Sequence, residues 1–210
     1  MQIKVALEIE MPNIAGNYFD KYSSRNWFHR ILISGFLKVL EEMVETSKAR
    51  TIFECGCGEG YLSLHLLKRG YKVEGCDLDQ TVVGIANSRA ESEGFGTPFH
   101  AKSIYDLEPL SPAPDLVMAC EVLEHLEDPA AAVERIRQIT AEWAIFSVPN
   151  EPIWRILNVL RLRYLARLGN TPGHIQHWTP RQFANLISKY FHVVDIRKPL
   201  PWTFLRCRKR

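Results

Sequence analysis

Residues 54–60 read Glu-Cys-Gly-Cys-Gly-Glu-Gly, and their flanks limit the fold more than any other stretch of the chain. Before them, residues 50–54 form a short apolar strand. After them, residues 61–68 place Leu62 and Leu66 on one helical face, with Leu64 and Leu67 filling it out, until Gly70 stops the helix. A strand that enters a helix through alternate glycines lets a ligand come close to the main chain, and the helix offers bare N–H groups and a positive dipole end there. The second strand, residues 71–76, runs into Asp77-Leu78-Asp79. In an open parallel sheet such an acid arrives beside the turn, at the strands' carboxyl ends, where it accepts hydrogen bonds from ribose hydroxyls.

The same alternation continues. A helix over 81–92, a weak strand at 99–101, a strong strand at 115–120, an alanine-rich helix over 129–140 capped by Asp128 and a fifth strand at 143–148 predict a parallel sheet with helices on both faces. Upstream, Phe28, Leu32, Phe36, Val39 and Met43 predict a helix over 24–45, opened by a Ser-Ser cap signal. Past Val148 the rhythm breaks: a proline turn leads to a candidate helix over 153–168, apolar nearly all round. Thr179-Pro180 then caps a last helix through residue 190, and strands at 192–196 and 203–206 follow. The economical description is one domain, residues 1–210, with a basic apolar lid-like insertion at about 149–178.

Composition agrees. The 210 residues are 46% hydrophobic and 24% charged, the proportions of a cored globule, and no run reaches the roughly 18–20 apolar residues of a membrane span. The first ten residues carry no apolar export block, and five cysteines is an odd number in a chain too large to need disulfides, so the expected compartment is the reducing cytoplasm. Cys55 and Cys57 lack a second pair at zinc spacing and read as small packing residues.

Two nucleotide ligands compete for the turn. A dinucleotide fingerprint is G-x-G-x-x-G; here the spacing is G-x-G-x-G, with Glu54 two places before the first glycine. A carboxylate there suits an ammonium or sulfonium and opposes a pyrophosphate, which favours adenosylmethionine over a nicotinamide or flavin dinucleotide. With Gly75-Cys76-Asp77-Leu78-Asp79 and residues 120–126, Cys-Glu-Val-Leu-Glu-His-Leu, the chain resembles class I S-adenosylmethionine-dependent methyltransferases over about residues 50–150. The resemblance implies a Rossmann-like doubly wound sheet of seven strands, the last antiparallel. It also implies that Glu54 and the Gly56, Gly58 and Gly60 turn hold the methionine end. Asp77 would take the ribose, Leu78 one adenine face, Ser103 and Ile104 the other side, and Cys120 would lie near the methionine backbone. Ser103 stands where the family has an acid. Tyr18, Tyr22 and Arg25 resemble an N-terminal gate.

Glu121-x-x-Glu124-His125 follows the fourth strand, where a methyl acceptor meets the cofactor. Two carboxylates and an imidazole, completed by His174 or His177, suit a divalent cation such as Mg²⁺ or Mn²⁺. The signature resembles ubiquinone-biosynthesis O-methyltransferases and the enzymes that methylate a 3′-terminal ribose of small RNAs. The alternative is metal-free: Glu-His caps a helix, or His125 or His174 acts as base or orienting group.

Residues 151–210 hold twelve Lys and Arg against two acids, whereas the first 150 hold fourteen against twenty-two. A basic last quarter suggests an anionic partner. The arginines interleaved with apolar residues at 154–168 point to a lid over a small or amphiphilic acceptor, quinone-, lipid- or saccharide-like, or to an anionic membrane surface met by residues 151–210. RNA is the second reading, without exposed aromatics interleaved among the bases. A non-catalytic adenosylmethionine-binding scaffold remains the rival from another class, and a solvated basic face the bland one.

Overall fold

The computed structural model describes residues 27–160 and 168–210. Seven strands lie in one sheet: β1 (Thr51–Cys55), β2 (Lys72–Asp77), β3 (Phe99–Ala101), β4 (Leu116–Cys120), β5 (Trp143–Pro149), β6 (Phe191–Arg197) and β7 (Trp202–Lys209). Their order is β3-β2-β1-β4-β5-β7-β6; the ladders among β1 to β5 are parallel, and β7 runs antiparallel to both of its neighbours. The chain travels outward from β1 to β3, then returns to β4 on the other side of β1. That reversal opens a crevice at the carboxyl ends of β1 and β4, where such sheets bind ligands.

The sequence explains the layers. Every residue of β4 is buried, as a continuous apolar run in the middle of a sheet covered on both faces must be. One face packs Phe53, Val117, Ala119 and Phe146 under α4 (Pro129–Ile139) and α6 (Pro180–Ile187). The other packs Ile52, Met118, Ile145 and Phe204 under α1 (Trp27–Ser47) and α2 (Tyr61–Leu67). α3 (Gln80–Ser92) sets Val83, Ala86 and Ala90 against Leu64 and Phe99. Asp79 caps α3 through Thr81 N, Asp128 caps α4 through Ala131 N, and Thr179 with Gln182 forms a capping box on α6. Asp115, expected to open β4, stays outside it. Its Oδ2 accepts from the Arg50 and Thr51 amides, both at 2.9 Å, and those bonds hold its carboxyl below the usual range.

Three expectations change. The buried line of α1 runs through Phe36, Leu40, Met43 and Val44, leaving Val39 half-buried. Of the helix expected over 153–168, α5 (Ile153–Leu160) is described and residues 161–167 are not, while Leu168 falls in a turn with Gly169, with φ of 49° and 77°. The last helix ends at Ile187, short of residue 190. The expected gate residues Tyr18, Tyr22 and Arg25, and Arg161, Arg163 and Arg167 of the basic segment, lie outside the described residues.

Candidate active site

The glycine turn hangs from the end of β2. Gly56 and Cys57 donate their amides to the Cys76 carbonyl at 2.7 and 2.9 Å, and the Gly58 amide donates to Asp77 Oδ2 at 2.8 Å. Gly56 has φ +73°, and a Cβ there would stand 2.4 Å from Val122 Cγ2, so only glycine lets the loop after β4 close against the turn. Asp77 also accepts from Asp79 N at 3.1 Å, and burial raises its pKa. Next to it Leu78 is 73% exposed, a large apolar side chain held open at the rim. Glu54 is 2% exposed and accepts from Ser63 Oγ at 2.5 Å; burial pushes its pKa up to about 8. Ser103 accepts from Tyr105 N and so caps the short 3-10 turn Ile104–Asp106, with Ile104 buried in the core. Cys120 is buried at the end of β4, its thiol pushed up by desolvation.

Beyond β4 the backbone turns sharply. Glu121 has φ +61°, donates its amide to Ser147 O at 3.0 Å and accepts from Trp202 Nε1 at 2.7 Å through Oε2. The next residues form the 3-10 turn Leu123–His125. Glu124 is 1% exposed and His125 faces solvent. A strap then crosses over them: Ile175 and Gln176 donate their amides to Glu124 O at 3.0 Å each, and the Gly173 carbonyl accepts from His125 Nδ1 at 3.0 Å. The strap carries buried His174, whose ring meets His125 edge-on at 4.9 Å and stacks on Trp154 at 5.9 Å. Ligand atoms of Glu124, His125 and His174 all lie within 4.8 Å of one another. Histidine nitrogens and a carboxylate so converged can hold a divalent cation, and the carbonyl on Nδ1 orients the His125 ring as an outer partner of a ligand does.

The profile of the methyltransferase domain family matches residues 24–190, most of the chain. The chain belongs to the class I adenosylmethionine-dependent methyltransferases. This methyltransferase is 31% identical over 144 residues to the ubiquinone biosynthesis O-methyltransferase of Paraburkholderia phytofirmans, covering 66% of this chain and 62% of that protein. It is 26% identical over 167 residues to the protein of the same description from Nitrosomonas europaea, covering 77% and 71%. The chain thus spans about three fifths of the length of the first of these relatives. Magnesium protoporphyrin IX methyltransferase from Synechocystis PCC 6803, solved with bound adenosylhomocysteine, shares the fold at a TM-score of 0.66 and 19% identity, over 89% of each chain.

In the methyltransferase, Glu54, Gly56, Gly58, Gly60, Asp77, Leu78 and Cys120 gather at one rim. Glu124, His125 and His174 meet beside it, because Val122 ties their loop to Gly56. Glu121 accepts from Trp202 and is not one of those three. His177, the other candidate ligand, bonds through Nε2 to Asn170 Oδ1 at 2.8 Å. Sequence reasoning missed Trp202, Trp154 and Gly173. The only signal was Trp154 lying off the helix stripe. The C-terminal bases also serve another end of the sheet. Arg206 and Arg208 lie over the Trp143 ring at 5.0 and 5.7 Å, Arg208 pairs with Glu142, and Lys209 Nζ donates to Thr140 O.

Proposed function

We propose that the chain methylates an oxygen of a small or amphiphilic acceptor, quinone-, lipid- or saccharide-like, with His125 as the general base. The observation that carries this reading is the cluster of Glu124 and His125, on the loop that closes against the Gly56 turn, with His174 of the strap that crosses it. The rim fits adenosylmethionine: a turn that admits no side chain at Gly56, an acid at the end of β2 and the open face of Leu78. Glu54, Gly56, Gly58 and Gly60 would hold its methionine end and Asp77 its ribose, with Leu78, Ser103 and Ile104 about the adenine and Cys120 beside the methionine backbone. When bound, it supplies an electrophilic methyl on a sulfonium.

The residues of the chain do the rest. The Gly173 carbonyl keeps the His125 proton on Nδ1, which makes Nε2 the basic nitrogen for an acceptor hydroxyl. His174, stacked on Trp154, fixes the ring from its other side. Alignment of the acceptor oxygen supplies most of the rate. Glu124, His125 and His174 fit a divalent cation as well, and such an ion lowers the pKa of an acceptor hydroxyl; Glu121, bonded to Trp202, is set aside from that group. We also assign α5 to an amphiphilic or anionic lipid surface, since Ile156, Val159 and Leu160 are exposed on a helix that also carries Arg155.

A labelled-methyl screen over phenols, lipids, saccharides and RNA tests the acceptor; transfer to RNA alone overturns the small-acceptor reading. His125→Ala is expected to lose about 10²- to 10⁴-fold in turnover while binding adenosylhomocysteine as the parent does. Full activity in excess chelator removes the metal and leaves the base.

A further inference from the structure

Cys55 and Cys76 face each other in register across β1 and β2, and both side chains enter the core that holds Ile104, Val117 and Ala119. Paired strands lie about 4.8 Å apart, within the roughly 4.4–6.8 Å that a disulfide spans between Cα atoms. Both thiols are free. Both side chains are buried, Cys55 at 0% and Cys76 at 1% exposure. The remaining cysteines are placed otherwise: Cys57 packs with Leu64 and Val83, Cys120 lies on the opposite sheet face, and Cys207 is on β7.

We propose that Cys55 and Cys76 form a reversible disulfide beneath the glycine turn, and that closing it weakens cofactor binding; the second part rests on the cofactor reading above. Neighbouring strands lie about 4.8 Å apart, whereas a disulfide holds its Cβ atoms at about 3.5–4.5 Å. Closing the bond therefore draws the ends of β1 and β2 together. The Cys76 carbonyl, which anchors Gly56 and Cys57, moves with them, and so does Asp77, which anchors Gly58. A bond formed under that demand is readily reduced. With hydrogen peroxide the chemistry balances. One of the two sulfurs, as its thiolate, takes one peroxide oxygen to give a sulfenic acid and hydroxide, the other sulfur displaces the sulfenic oxygen, and two thiols and one peroxide end as one disulfide and two waters.

The test treats the purified chain with hydrogen peroxide, maps its disulfides by mass spectrometry and measures adenosylhomocysteine binding by calorimetry before oxidation, after it, and after dithiothreitol. The expected result is a peptide linked through Cys55 and Cys76, with affinity about tenfold or more weaker and restored by reduction. In a dithiothreitol redox buffer, saturating adenosylhomocysteine lowers the equilibrium fraction linked by about the same factor, as reciprocity requires. Cys55→Ala binds like the reduced parent and ignores peroxide, with Cys55→Ser in its place if the alanine chain does not fold. A different linked pair, no linked pair, or a Cys55–Cys76 bond that leaves affinity unchanged overturns the proposal. Failure of the reduced parent to bind adenosylhomocysteine removes the affinity effect together with the cofactor reading, and the peptide map still decides the bond.

Discussion

A methyl group on Gly56 has nowhere to go: it meets Val122 Cγ2 at 2.4 Å, and the backbone there is left-handed. Alanine in that conformation costs about 1–2 kcal/mol before any clash is counted. Gly56→Ala is therefore expected to melt some degrees lower and to bind adenosylhomocysteine at least about tenfold more weakly, since about 1.4 kcal/mol of lost contact suffices; calorimetry and thermal melts check both. Glu54 gives a prediction in pH. Buried with its pKa pushed to about 8, against an ordinary value near 4.5, it keeps a proton when folded that the unfolded chain has lost. Its contribution is full below about pH 4.5 and falls as pH rises through 8. Glu54→Gln, neutral throughout, should melt close to the parent at pH 5 and above it at pH 8.5. A parent that gains on the variant as pH rises would show that the carboxylate is stabilised where it lies.

Among the elements, α6 owes its start to Thr179, which bonds the Gln182 amide while the Gln182 side chain returns to the Thr179 amide. Thr179→Ala is expected to cost about 0.5–2 kcal/mol, seen as a lower melting temperature with cofactor affinity intact. Trp202→Phe removes the N–H that Glu121 Oε2 accepts, and should slow turnover and lower stability by about 1–3 kcal/mol. These elements also show what a sequence yields. The strands, α2 to α4 and the cap of α6 follow from local periodicity and capping residues, and so does the meeting of the 54–60 turn with Asp77 at the end of β2. The strap did not show. It has no period of its own, and its bonds reach back about fifty residues, from Gly173 to His125 and from Gln176 to Leu126 and Glu124. Glu121 takes a place that its spacing from Glu124 and His125 does not give: its φ is positive, its amide is joined to β5 and its carboxylate is bonded to Trp202.

Across the whole molecule, the charge of the last quarter divides by place. Arg206, Arg208 and Lys209 dress the amino end of β5, away from the rim, and Arg197 pairs with Glu42 and Asp195 on the edge strand β6, where charge discourages sheet-to-sheet pairing. Among the described residues no helix is long and apolar enough to cross a membrane. A surface role for α5 then predicts that the chain sediments with vesicles rich in anionic phospholipid at low salt and leaves them at high salt. Leu160→Asp should abolish that sedimentation, and unchanged sedimentation would dismiss the helix as the contact.

Trp154, on the helix of the insertion, stacks on the His174 ring and stands 5.9 Å from Trp202 at the head of β7. Indole emission responds to imidazolium charge and to water at the ring, so the place where an acceptor would bind is wired to a fluorescence signal. With Trp27, Trp143 and Trp178 replaced by phenylalanine, unlabelled protein in a cuvette would register each candidate acceptor as it enters, before any methyl has moved.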